Sequence, residues 1–215
     1  MPDASTFAAF AIASLALLVI PGPAVLYTVN RSVSDDRTVG LAAVAGIELG
    51  NLVHALAAAA GLSAVLATSA TAFNAVKWLG AGYLIVVGVR TLVRRPQPIS
   101  NDRAAISHRR AFGQGIVVNI LNPKVALFFL SFLPQFIHTD RGGSGRQALA
   151  LGIVFVLIGC LTDSLYSLLS SSLRGVLVRG RGLPFVQRYV AGTVFIGLGV
   201  VAATASAGHR SSAAR

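Results

Sequence analysis

An all-α integral membrane protein is the fold class the sequence predicts, with six transmembrane helices as two inverted three-helix repeats and helices 1 and 4 interrupted at proline motifs. Three observations predict it. Hydrophobic side chains make up 54% of the 215 residues and charged ones only 12%, at a mean hydropathy of +0.73, whereas soluble domains carry about a quarter charged residues. Six stretches are long and apolar enough for a bilayer core, which needs about 20 residues of helix. Each half of the chain also sets proline inside its first apolar stretch, Pro21 and Pro23 in one and Pro123 in the other.

The first stretch, Thr6 to Val29, contains Pro21-Gly22-Pro23. Proline lacks a backbone donor and collides with the carbonyl four residues back, so the helix breaks or kinks there. The segment before it, MPDASTFAAF, has no basic region and runs on without a cleavage site, which reads as a retained first span. The second stretch, Gly40 to Ala67, carries Glu48, Asn51 and His54, and its Gly46-xxx-Gly50 pair reads as a close helix contact. The third is Phe73 to Val93. The fourth, Phe112 to Ile137, is interrupted at Asn122-Pro123-Lys124. The fifth, Gln147 to Leu173, contains Asp163 and Tyr166, and the sixth is Phe185 to Ala205.

This order divides the chain into a first three-helix repeat (1–93), a basic cytoplasmic linker (94–111), a second three-helix repeat (112–207) and a flexible tail (208–215). The halves echo each other: AGIELG from Ala45 is answered by LGIVFVLIG from Leu151, and Ala81-Gly82 by Ala191-Gly192. A duplicated unit with an odd number of spans is inverted in its second copy, as in inverted-repeat secondary transporters.

The net charge is +11, from 18 Lys and Arg against 7 Asp and Glu. Nearly all the arginines lie in the gaps between apolar stretches, where no aromatic side chain is present to stack on bases. Nucleic acid is therefore excluded as a partner, and the basic gaps read as orientation signals and contacts for anionic lipid. With the N-terminus outside, the cytoplasmic loops hold twelve Lys and Arg and the opposite side five, Lys124 being set aside as intramembrane. Both termini are accordingly expected outside the cytoplasm.

In lipid, the backbone groups freed at a helix break must be satisfied by protein or by a water-filled cavity. Half-helix ends near the midplane also hold charged small molecules through their dipoles. These arguments make Pro21, Gly22, Pro23, Asn122, Pro123 and Lys124 candidate substrate-binding residues; a packing kink is the plainer reading of the prolines alone. A lysine at a helix centre costs about 2.5–3.5 kcal/mol on insertion scales unless it pairs or faces water. Lys124 lies 14 residues past Arg110, roughly 21 Å along a helix, which favours interior pairing over snorkelling. It is expected to meet a substrate carboxylate, Glu48 or Asp163.

Glu48 and Asp163 occupy comparable places in the two halves and are the candidate proton-coupling residues, with a structural salt bridge to Lys124 as the alternative. Asn51 and Tyr166, three residues beyond each acid, join the candidate substrate-binding set. Protonating the acid would loosen its hold on Lys124 and free that cation for a carboxylate. Other chemistry finds little support. Cys160 is the sole cysteine, so no disulfide or thiol relay forms, and His54 has no second histidine in any span and reads as a satisfied interior residue. Gly142-Gly143-Ser144-Gly145 reads as a turn and not as a protease serine, because no later span brings a histidine base. No cofactor, no metal and no enzymatic activity are expected.

PGP at Pro21 to Pro23, AGIELGN at Ala45 to Asn51, KWLGAGYLIVVG at Lys77 to Gly88 and NILNPKVALFFLSFLPQF at Asn119 to Phe136 together resemble the lysine exporter superfamily. The likeness is to the LysE/RhtB family of amino-acid and homoserine-lactone exporters, from Leu15 to about Gly199. Asp163 in LTDSLY matches an acid that family commonly carries in its fifth span. The resemblance implies a multi-pass protein of the bacterial inner membrane that exports amino acids or related small metabolites by secondary transport, driven by proton antiport, with homo-oligomers compatible. Its superfamily also implies an alternative, divalent cation export; a membrane-embedded enzyme is the third reading.

Overall fold

The computed structural model describes residues 1–68, 105–138 and 143–172, together with single positions between 78 and 93 and between 189 and 200. Apart from those single positions, the expected third and sixth spans lie outside the described residues, as do most of the linker and the tail. Helix α1 (Ala4–Val19) starts at Asp3, whose carboxylate accepts the Thr6 N–H at 2.9 Å. Helix α2 (Pro23–Ser34) follows with Gly22 as its N-cap and Pro23 in its first turn, where a missing N–H costs nothing. The two axes differ by 53°.

Helix α3 (Arg37–Thr68) is continuous over 32 residues, roughly 48 Å. Asp36 opens it by accepting the N–H groups of Thr38 and Val39, and the Thr38 side-chain bond first among these holds its carboxyl below the usual carboxylate range. Helix α4 (His108–Ile120) is capped by Ser107. Helix α5 (Pro123–Leu127) is capped by Asn122 and continues as a π turn over Phe128–Phe132 and a 3-10 turn over Leu133–Phe136. Its axis departs from that of α4 by 44°. Helix α6 (Ser144–Ser172) closes the described fold after Gly143, at φ +64°.

Two of these helices, α3 over Arg37–Gly61 and α6, are long and apolar enough to cross a membrane, and up to four spans result if each bent pair is one crossing. The helices extend past the apolar stretches read from sequence. Residues 31–34 continue α2, supported by the Arg31–Asp35 ion pair at 3.1 Å, and residues 108–111, within the expected linker, form the first turn of α4.

Helix α6 has one exposed and one buried face. Ile153, Leu157, Leu161, Leu165 and Leu169 recur at every fourth position and are exposed. The opposite stripe, Leu151, Phe155, Gly159, Asp163 and Ser167, is buried and turns polar along its length. Apolar side chains thus point outward and polar ones inward, the arrangement a hydrocarbon solvent requires.

Helices α3 and α4 pack backbone against backbone. A Cβ on Gly46 would strike the carbonyl oxygen of Phe112, and one on Gly50 would lie 2.8 Å from Cβ of Asn119, so the Gly46-xxx-Gly50 pair is a close helix contact. Towards the Asp3 end of the bundle, Phe10, Phe128, Phe129, Phe132, Phe136 and Phe155 form one aromatic cluster with ring centroids 5.0–6.2 Å apart. Towards the other end, Val25, Val29 and Val33 pack beside the Ser32–Ser167 hydroxyl bond of 2.8 Å. The two helix breaks lie between these layers.

Candidate functional site

Both breaks are built from capping chemistry and meet each other. Helix α1 ends because Pro21 cannot continue it, which strips the Val19 and Ile20 carbonyls of helical donors. Tyr166 from α6 donates its hydroxyl to the Val19 carbonyl at 2.5 Å, and the Lys124 ammonium donates to the Ile20 carbonyl at 2.6 Å. Helix α4 ends at Leu121, and the Asn122 side chain accepts the Lys124 N–H at 3.1 Å, starting α5. Lys124 is consequently placed by one break and held by the other. It is only 5% exposed, and its Cδ lies 3.0 Å from where a Gly22 Cβ would stand, so glycine is what allows the lysine stem to pass.

A small cavity opens at this meeting point. Gly22, Asn51, Asn119, Asn122, Lys124 and Asp163 supply its polar wall. Leu18, Ala24, Val25, Ile47 and Val125 supply the apolar one. Its volume is about 10 Å³, space for a single water at most. The site is therefore contracted, and any larger occupant must part the two breaks.

Helix α3 brings Glu48 and Asn51 to the site, and Asn51 donates to Glu48 Oε2 at 2.9 Å. Asn119 from α4 donates to the Asn51 side chain at 2.7 Å and to the Ile47 carbonyl at 2.9 Å. His54 sits one turn further, its Nε2 at 3.0 Å from the Asn119 carbonyl and its ring stacked on Phe129. It is a satisfied interior histidine.

Of the residues singled out from sequence, Gly22, Asn51, Asn122, Lys124 and Asp163 line the cavity. Pro21, Pro23 and Pro123 set the breaks without lining it, Glu48 joins through Asn51, and Tyr166 is turned to the end of α1. Asn119 was missed. Its signal is an amide inside the apolar run GIVVNIL, the same anomaly that marks Lys124. Asn119→Ala removes two bonds between α3 and α4, and we expect it to cost about 1–3 kcal/mol, read as a lower thermal midpoint in detergent.

The family model of the LysE type translocator matches residues 15–206. The chain belongs to the LysE type translocator family. The translocator is 28% identical over 206 residues to an uncharacterized membrane protein of Vibrio cholerae, covering 95% of this chain and 100% of the relative. It is 28% identical over 196 residues to an uncharacterized membrane protein of Pseudomonas aeruginosa, covering 88% and 91%. A leucine efflux protein of Salmonella choleraesuis is 26% identical over 199 residues, covering 91% of the translocator and 93% of that relative. No solved structure gives a significant match. The translocator is a membrane protein that carries a small molecule, and the cavity between its helix breaks is where a cation, a carboxylate and an apolar wall converge.

Proposed function

We propose that this translocator is a secondary active exporter of small zwitterionic amino acids or related metabolites, exchanging them for protons across the bacterial inner membrane with both termini outside the cytoplasm. The observation that carries the reading is the buried Lys124 ammonium, set between two helix breaks and beside Asp163. One cation and one carboxylate a short distance apart match the two poles of an amino acid. The wall of Leu18, Val25, Ile47 and Val125 suits an aliphatic side chain. Leucine, named for the Salmonella relative, is the first cargo to test.

The ammonium argues against the superfamily's other cargo, because a fixed cation repels a divalent one at short range. Protonation that merely freed Lys124 would favour proton and cargo together, whereas exchange requires that each exclude the other. An ionised carboxylate that receives the cargo ammonium meets that requirement. The test is efflux of radiolabelled leucine from proteoliposomes under an inward proton gradient. We expect loss faster than from protein-free vesicles, slowing when the gradient is collapsed. Loss of leucine and other zwitterionic amino acids at the protein-free rate would overturn the reading.

A further inference from the structure

We infer that Glu48 and Asp163 hold a single proton between their facing carboxyls, and that the cargo ammonium takes that proton's place. The second half rests on the exporter reading above; the first stands on geometry alone. Glu48 reaches from α3 across to α6, where a Cβ on Gly159 would lie 2.7 Å from both of its carboxyl oxygens. Gly159 and Asp163 are one turn apart on one helix face, so the Glu48 carboxyl lodged on Gly159 meets that of Asp163. Both side chains are buried, at 6% and 2% exposure.

Asn51 satisfies Glu48 Oε2, yet Glu48 Oε1 and Asp163 Oδ1 have no donor among the described residues. Ionised carboxylates only accept hydrogen bonds. Two of them facing each other would leave both oxygens unsatisfied and add like-charge repulsion away from water. One proton removes both problems, since the O–H of one carboxyl donates to the oxygen of the other. The charges also balance: Lys124, one carboxylate and one carboxylic acid sum to zero, whereas two protons would leave the ammonium uncompensated.

Among the described residues, the other titratable groups near the pair are Lys124 from α5, and Cys160 and Tyr166 on α6 itself. Helices α1, α2 and α4 bring Leu18, Val25 and Asn119 to the cavity. An incoming ammonium has three N–H donors and serves both carboxylates, while the cargo carboxylate goes to Lys124. In that exchange the O–H bond breaks, its electron pair stays on the carboxylate oxygen and the proton leaves to water on the open side. Proton and cargo then exclude one another, which is what turns binding into exchange.

Infrared spectroscopy of the detergent-solubilised full chain near neutral pH reads a buried protonated carboxyl through its C=O stretch. We expect one such group per wild-type chain, lost in Glu48→Gln and equally in Asp163→Asn, because the acid that remains is then the single negative charge balancing the Lys124 ammonium. A band that survives either substitution assigns the proton to one acid alone, and its absence from the wild type leaves both ionised; either result overturns the shared proton. Leucine is expected to remove the wild-type band and release about one proton per molecule bound. Leucine that binds while the band persists overturns displacement. Leucine that fails to bind at all refutes the cargo assigned above, and the variant spectra still decide the shared proton.

Discussion

Replacing Lys124 by methionine is expected to lower leucine efflux by about 10- to 150-fold, the rate equivalent of the 1.5–3 kcal/mol that a charge-assisted hydrogen bond contributes. Methionine keeps a long stem in the slot beside Gly22, so packing is disturbed little. Arginine is not expected to rescue transport. The lysine Cδ already lies 3.0 Å from the Gly22 Cβ position, so the wider, planar guanidinium does not seat its charge where the ammonium stands. The variant also strands the Ile20 carbonyl and leaves Asp163 without its cation, and such a broken buried pair costs about 3–5 kcal/mol. Protein in the membrane must therefore be measured beside efflux, and the double variant Lys124→Met, Asp163→Asn separates the two roles. If the pair is only structural, removing both charges restores efflux. If the pair takes part in transport, Lys124 holding the cargo carboxylate and Asp163 its ammonium, the double variant folds and stays inactive. Unchanged efflux in Lys124→Met at equal protein would remove the lysine from the site.

The parts of this site legible in the sequence are those where one residue violates the rules of its surroundings. Pro21, Pro23 and Pro123 announce the breaks because no straight helix accommodates them, and the bends of 53° and 44° fall there. Lys124 announces an interior partner through its cost in lipid, and it is found against the Ile20 carbonyl. Contacts between elements were less legible. Glu48 and Asp163 are 115 positions apart in sequence, and what joins them is the absence of a side chain at Gly159, one of many glycines in an apolar chain. The aromatic cluster was hidden for another reason. The helix after Pro123 changes register into π and 3-10 turns, so a 3.6-residue period does not show which phenylalanines share a face. Helix ends were displaced where capping overrode hydropathy, as at Asp36 and Ser107.

Gly46→Val is expected to abolish the folded translocator, because the interface it enters is backbone against backbone. The new Cβ would strike the Phe112 carbonyl oxygen, which belongs to α4 and has no rotamer by which to give way. Gly115 on the facing helix approaches α3 as closely, its would-be Cβ 2.5 Å from the Ala43 carbonyl oxygen, so a slide along the interface meets a second collision. The helices must separate. Separation breaks the Asn119 bonds to the Ile47 carbonyl and to Asn51, which lie further along the same seam and orient the wall of the cavity. Overpacking a core costs about 1–3 kcal/mol where side chains yield, and here they cannot, so the loss exceeds that range and consumes much of a typical stability of about 5–15 kcal/mol. Size-exclusion chromatography of the detergent-solubilised protein is expected to show aggregate or no monodisperse species. Gly61→Ala is the control on the same helix: no described residue lies within 4 Å of its Cβ position, and alanine is the better helix former by about 0.5–1 kcal/mol. Wild-type yield and midpoint in Gly46→Val would mean that α3 and α4 do not touch as described, and the orientation of Asn51 and Glu48 toward the two breaks would lose its support.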